Sequence, residues 1–163
     1  MKLKELYDLY VSGEIKKPEY IDLMHEKHLV LFEYFDYIKD TDIKSIYMDN
    51  DTIYITVKGS DIKLLLDRND KRFIPLEILN FHSTEAQERE FIFSLVSKCR
   101  IVFDIGANIG WYTLNFGKLP NIDKVYSFEP IPHTFEYLKK HVEMNDIWVL
   151  PQNPWVDFRK YGV

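Results

Sequence analysis

Residues Ile101 to Glu129 constrain this chain more than any other part of it. Ile101-Val102-Phe103-Asp104 is a short apolar run closing on an acid, and a turn containing Gly106 and Gly110 follows. A helical stretch from about Gly110 to Gly117 leads to a second apolar run, Val125 to Phe128, which closes on Glu129. Strand, helix, strand in that order is one right-handed crossover unit of a parallel sheet. After Pro130 and Pro132 a helix runs to about Met144, and Ile147-Trp148-Val149-Leu150 supplies a third strand. The predicted class is therefore α/β: the first βαβ units of a Rossmann-like parallel sheet.

The turn itself is a ligand seat. Glycine at 106 and 110 permits unusual backbone angles and lets a ligand approach the main chain without meeting a Cβ. Ala107 and Asn108 complete a small-residue loop between them. Asp104, at the strand end, suits a cationic group such as an amino acid's ammonium, because charge-assisted bonds outrank neutral ones. Glu129 lies 23 residues after Gly106, close to the ~20-residue separation at which the second strand's terminal acid reaches a ribose diol. Asn108 stands where the second glycine of a G-x-G-x-x-G pattern would bring backbone against a pyrophosphate, which disfavours a dinucleotide. A nucleoside cofactor without phosphates, S-adenosylmethionine, fits this combination better than NAD.

Val102-Phe103-Asp104-Ile105-Gly106-Ala107-Asn108-Ile109-Gly110-Trp111-Tyr112-Thr113 resembles the first motif of the FkbM-type methyltransferases, and Val125-Tyr126-Ser127-Phe128-Glu129-Pro130 their second. The resemblance covers residues 85–145. It implies a partial Rossmann-like methyltransferase fold and an enzyme that takes S-adenosyl-L-methionine as cofactor. It also implies methylation of a hydroxyl on a saccharide or secondary metabolite. The cofactor-binding residues are then Asp104, Gly106, Ala107, Asn108, Gly110 and Glu129; the catalytic base is unknown, and no metal is expected. Trp111 and Tyr112, at helical spacing, are read as packing residues and not as cation–π partners of a sulfonium.

The rest of the chain divides into 1–83, 84–145 and 146–163. The first part holds two helices, Leu3 to Val11 and one with Pro18 in its first turn, whose apolar stripe should pack against something. A β-hairpin follows, with Ile53, Ile55 and Val57 on one strand, Ile62 to Leu66 on the other and Gly59-Ser60 between them. Asp49-Asn50-Asp51 reads as a turn and not a calcium loop. Thr84-Glu85-Ala86-Gln87 matches a capping box opening a helix through about Lys98, with Glu85 as a first-turn acid. After Asn145-Asp146 the resemblance stops, and a complete sheet of this type needs about 200 residues or more at ~30 per βαβ unit. At 163 residues the expectation is a truncated or inactive methyltransferase with a divergent tail, in which Asn153-Pro154-Trp155 is a loop. A second reading, a non-catalytic binding or assembly module built on a remnant fold, stays open.

Composition narrows the partners. A net charge of −5 with no basic stripe argues against a nucleic-acid surface. The amino terminus has no apolar signal core, and no stretch approaches a membrane span, so the expectation is a cytoplasmic protein. The single cysteine, Cys99, is expected to be a buried thiol. His25 and His28 at i and i+3 read as a surface pair, and His82, His133 and His141 as surface or structural residues. An open sheet edge leaves room for a homo-oligomer.

Overall fold

A computed structural model of the chain describes residues 1–71, 73–83, 86–147 and 150–152. The chain forms two compact units, one from Met1 to Asp40 and the other from Thr41 onward.

The first unit is helical. Helix α1 (Leu3–Val11) opens with the Glu5 carboxylate accepting the Lys2 N–H at 2.7 Å, one half of a capping exchange. Helix α2 (Lys17–Tyr37) carries Pro18 in its first turn, where the missing N–H is an orphan in any helix. Tyr10 and Tyr20 stack with ring centroids 4.6 Å apart, and Leu6 is fully buried. No residue of α2 is fully buried: of the stripe expected to pack, Tyr20, Leu23 and Met24 are half-buried, whereas Leu31, Tyr34 and Phe35 are exposed.

The second unit begins with an antiparallel sheet of three strands, β1 (Ile43–Met48), β2 (Ile53–Val57) and β3 (Lys63–Leu65), in that spatial order. The expected hairpin is therefore a meander with one strand more. The β1–β2 turn is held by Asp49, whose Oδ1 accepts the N–H groups of Asp51 and Thr52 at 2.9 and 2.8 Å, a side-chain mimic of a backbone turn. Alternation puts Ile55, Val57 and Leu64 inside, beside Ile43. Helix α3 (Ile74–Phe81), absent from the sequence reading, carries Pro75 in its first turn, and α4 (Ala86–Val96) follows. The threonine of the expected capping box and Glu85 lie outside the described residues.

The second sheet is parallel: β4 (Ile101–Ile105), β5 (Lys124–Phe128) and β6 (Leu150–Gln152), in that order. Helix α5 (Trp111–Gly117) joins the first pair, and α6 (Pro132–Met144) the second. The third strand thus begins at the last residue of the run expected to form it. Val96, Phe116 and Val125 form a buried core, with Val102, Tyr112 and Val142 packed against it. The other face of β4 is open: Ile101, Phe103 and Ile105 are exposed, and Phe103 stacks on Tyr126 at 5.0 Å. Cys99 is exposed, contrary to expectation, because it follows the end of α4 on the way into β4. No helix among the described residues is long and apolar enough to cross a membrane.

Candidate functional site

The parallel register brings the ends of β4 and β5 level, with Ile105 opposite Phe128. The chain leaving β4 then folds back over β5: the N–H groups of Gly106 and Ala107 both point to the Phe128 carbonyl, at 2.9 and 3.0 Å. Bending so sharply puts Gly106 at φ +81°, Asn108 at +51° and Gly110 at +95°. Asn tolerates that left-handed region better than most side chains, which accounts for its place here. The two glycines differ in surroundings. A Cβ on Gly106 would meet nothing within 4 Å, whereas one on Gly110 would lie 2.6 Å from Leu138 Cδ1 of α6. Gly106 borders open space; Gly110 is required by packing.

Glu129 closes the turn. Its Oε2 accepts the Asn108 N–H and its Oε1 the Ile131 N–H, each at 2.8 Å, and the residue is 4% exposed. One carboxylate therefore ties the loop after β4 to the loop after β5. Each oxygen retains a further lone pair, since a carboxylate offers about four acceptor positions.

Asp104 faces the helix side of β4. Its Oδ2 accepts the Thr113 hydroxyl at 2.5 Å, and Thr113 in turn bonds Ser127 at 2.7 Å. Burial pushes the Asp104 carboxyl above its ordinary range, the Thr113 hydroxyl and backbone oppose this, and the charge of Glu129 adds to the rise. Trp111, the first residue of α5, is 2% exposed, and its indole N–H has no hydrogen-bond partner among the described residues.

The six residues singled out from sequence, Asp104, Gly106, Ala107, Asn108, Gly110 and Glu129, thus come together at the carboxyl ends of β4 and β5. Asp104 alone points inward from the strand, into the Thr113–Ser127 chain. Sequence reasoning gave no role to Thr113 or Ser127, and it read His141 only as a surface or structural residue; the structure makes it a buried structural one. The signal for Ser127 was a small polar residue at an inward position of an apolar strand. The signal for His141 was its place three residues after Leu138 on α6. Both nitrogens of that buried ring are used: Nε2 accepts the Leu65 N–H at 2.9 Å, and Nδ1–H donates to the Ile109 carbonyl at 2.8 Å. His25 and His28 are exposed on α2.

A parallel βαβαβ unit, with a glycine turn after its first strand and an acid after its second, defines the α/β methyltransferase class. Residues 69–154 match the TRM5/TYW2 methyltransferase domain, and the chain belongs to that family. It is thereby one of the S-adenosylmethionine-dependent methyltransferases. The matched family is not the FkbM family that the motifs resemble, and the match runs nine residues past Asn145. No curated protein matches the chain. Among solved structures, Trm5b from Pyrococcus abyssi is similar at 19% identity and a TM-score of 0.45, covering 66% of this chain and 34% of that one. TYW2 from P. horikoshii in complex with MeSAdo gives 18% and 0.45, covering 93% and 63%. TYW2 from M. jannaschii in complex with AdoMet gives 17% and 0.38, covering 69% and 43%. The chain thus spans between about a third and about three fifths of the length of these three.

Proposed function

We propose that this chain binds S-adenosylmethionine in the turn between β4 and β5 and transfers its methyl group to tRNA. The observation that carries the cofactor site is the double lock of Glu129 on Asn108 and Ile131. It fixes an acid at the end of β5 with acceptor capacity left over for a ribose diol. The residues fit the cofactor in two further respects. The space beside Gly106 leaves backbone approachable. Burial, and to a lesser degree the charge of Glu129, raise the Asp104 carboxyl, and a cationic ammonium group beside Asp104 relieves that cost.

In this reading Glu129 holds the ribose, Gly106, Ala107, Asn108 and Gly110 shape the seat, and Asp104 faces the amino group. Thr113 and Ser127 keep Asp104 in place. When bound, the cofactor supplies an electrophilic methyl on a sulfonium. The protein's contribution is to hold that group and the acceptor in line and to exclude water. A saccharide or secondary-metabolite hydroxyl rested on the FkbM resemblance alone, and the tRNA acceptor replaces it here. The non-catalytic assembly reading draws on the exposed apolar residues of α2 and β4.

Calorimetric titration with S-adenosylhomocysteine tests the site. The wild type should bind, and E129A should bind at least tenfold more weakly. A wild type that shows no heat, or an E129A indistinguishable from it, overturns the assignment. Labelled methyl transfer to bulk tRNA and to an oligosaccharide, run side by side, decides the acceptor.

A further inference from the structure

The antiparallel sheet has no part in the site as described, and β3 lies before the residues matched to the family, yet the two are joined. The connection is one face of α6 and its C-cap, where Leu138, His141 and the capping Asn145 follow at helical spacing. Leu138 fills the space against Gly110. His141 spans from the Ile109 carbonyl, inside the turn, to the Leu65 N–H of β3. Asn145 accepts the Lys63 N–H through Oδ1 and donates to the Lys63 carbonyl through Nδ2, both at 2.8 Å.

Lys63 and Leu65 belong to an edge strand, so the groups they offer to α6 are those that would otherwise lack a strand partner. Two side chains of one helix and its cap therefore complete the sheet edge as a neighbouring strand would. His141 alone also reaches the turn.

The chemistry at the ring admits one protonation pattern. A backbone N–H can only donate, so Nε2 must be unprotonated. A carbonyl can only accept, so the proton sits on Nδ1. Burial favours the same neutral form and lowers the pKa of His141 to about 4.

We propose that His141 is a positioning residue for the cofactor turn, a strut through which the antiparallel sheet holds Ile109, and with it Asn108 and Gly110, in the geometry that the ligand meets. This rests on the cofactor reading above. It gives β1–β3 a role in binding without any contact to ligand.

The test compares H141F, which keeps a ring of similar size and loses both bonds, with H141Q, whose amide can accept from Leu65 and donate to Ile109. Two quantities are read in the whole chain: affinity for S-adenosylhomocysteine, and amide hydrogen exchange without ligand. In H141F the amides of Asn108 and Gly110 should exchange at least tenfold faster, the β1–β2 ladder should keep its protection, and affinity should fall at least tenfold. H141Q should return both to within threefold of wild type. Should H141F not fold, H141N replaces it, since its side chain is too short to span both groups. The proposal is overturned if the turn amides in the bond-breaking variant exchange as in wild type, if protection falls equally in turn and ladder, or if H141Q behaves like H141F. Because exchange is measured without ligand, a wild type that binds no S-adenosylhomocysteine would overturn the cofactor reading while the exchange contrast still decides this one.

Discussion

Two glycines of one turn separate conformation from packing. Gly106 and Gly110 both sit in the left-handed region, at φ +81° and +95°. An alanine at either strains the backbone by about 1 kcal/mol or more. At Gly110 the new methyl also collides with Leu138, a fully buried residue of α6 that has no room to retreat. Overpacking of that kind adds about 1–3 kcal/mol. G110A should therefore lower the urea midpoint clearly more than G106A, with an unchanged slope in both. Equal losses would mean that α6 yields at little cost and that Gly110 is there for its φ alone. The glycines and Glu129 were legible in the sequence because their spacing along the chain is fixed by the lengths of one strand and one helix. The Thr113–Ser127–Asp104 chain was not, because it joins three elements and its members become neighbours only when β4, α5 and β5 have packed.

At the level of elements, helices with a proline start or a periodic face were readable: α1, α2 and α6 fall where their patterns place them. Strand β1 escaped because only Ile43 of its six residues is buried, leaving no alternation to detect. Helix α3 escaped because its apolar residues are too dense for a stripe. The docking of α6 on β3 makes stability depend on pH. The His141 pKa is about 4 in the folded protein and 6.5 ordinarily, so the unfolded chain takes up the proton first. The stabilisation is complete above pH 6.5. It is lost as pH falls toward 4, by at most ~1.4 kcal/mol per pH unit. Asp104, its carboxyl raised by burial, pulls in the opposite direction. Comparing wild type with H141Q removes that contribution, since both carry Asp104. The expected result is a steeper fall of unfolding free energy between pH 6.5 and 5 in the wild type than in H141Q. Parallel curves would mean that the ring takes up a proton inside the fold and that the helix–sheet junction tolerates it.

For the molecule as a whole, charge and proposed acceptor pull against each other. A chain carrying −5 at neutral pH with a pI near 5.5 repels a polyanion, and no family match changes that sum. Non-specific nucleic-acid binding is driven by counterion release, and each neutralised phosphate steepens the fall of affinity with salt by roughly 0.7–0.9 in the logarithmic slope. With 21 basic residues offset by 26 acidic ones, the summed charge supplies no long-range attraction to phosphates. Filter binding of bulk tRNA should accordingly give a dissociation constant no tighter than about 10⁻⁴ M at physiological salt, the weak end of the non-specific range. The slope should correspond to roughly two phosphates or fewer. Methyl transfer to tRNA under those conditions would have to draw its selectivity from contacts to an unstacked base at the site, because the backbone would supply too little attraction to hold the substrate. Tight binding with a steep slope would instead require a local basic surface strong enough to override the net charge, and the composition argument against nucleic acid would then be wrong for this protein.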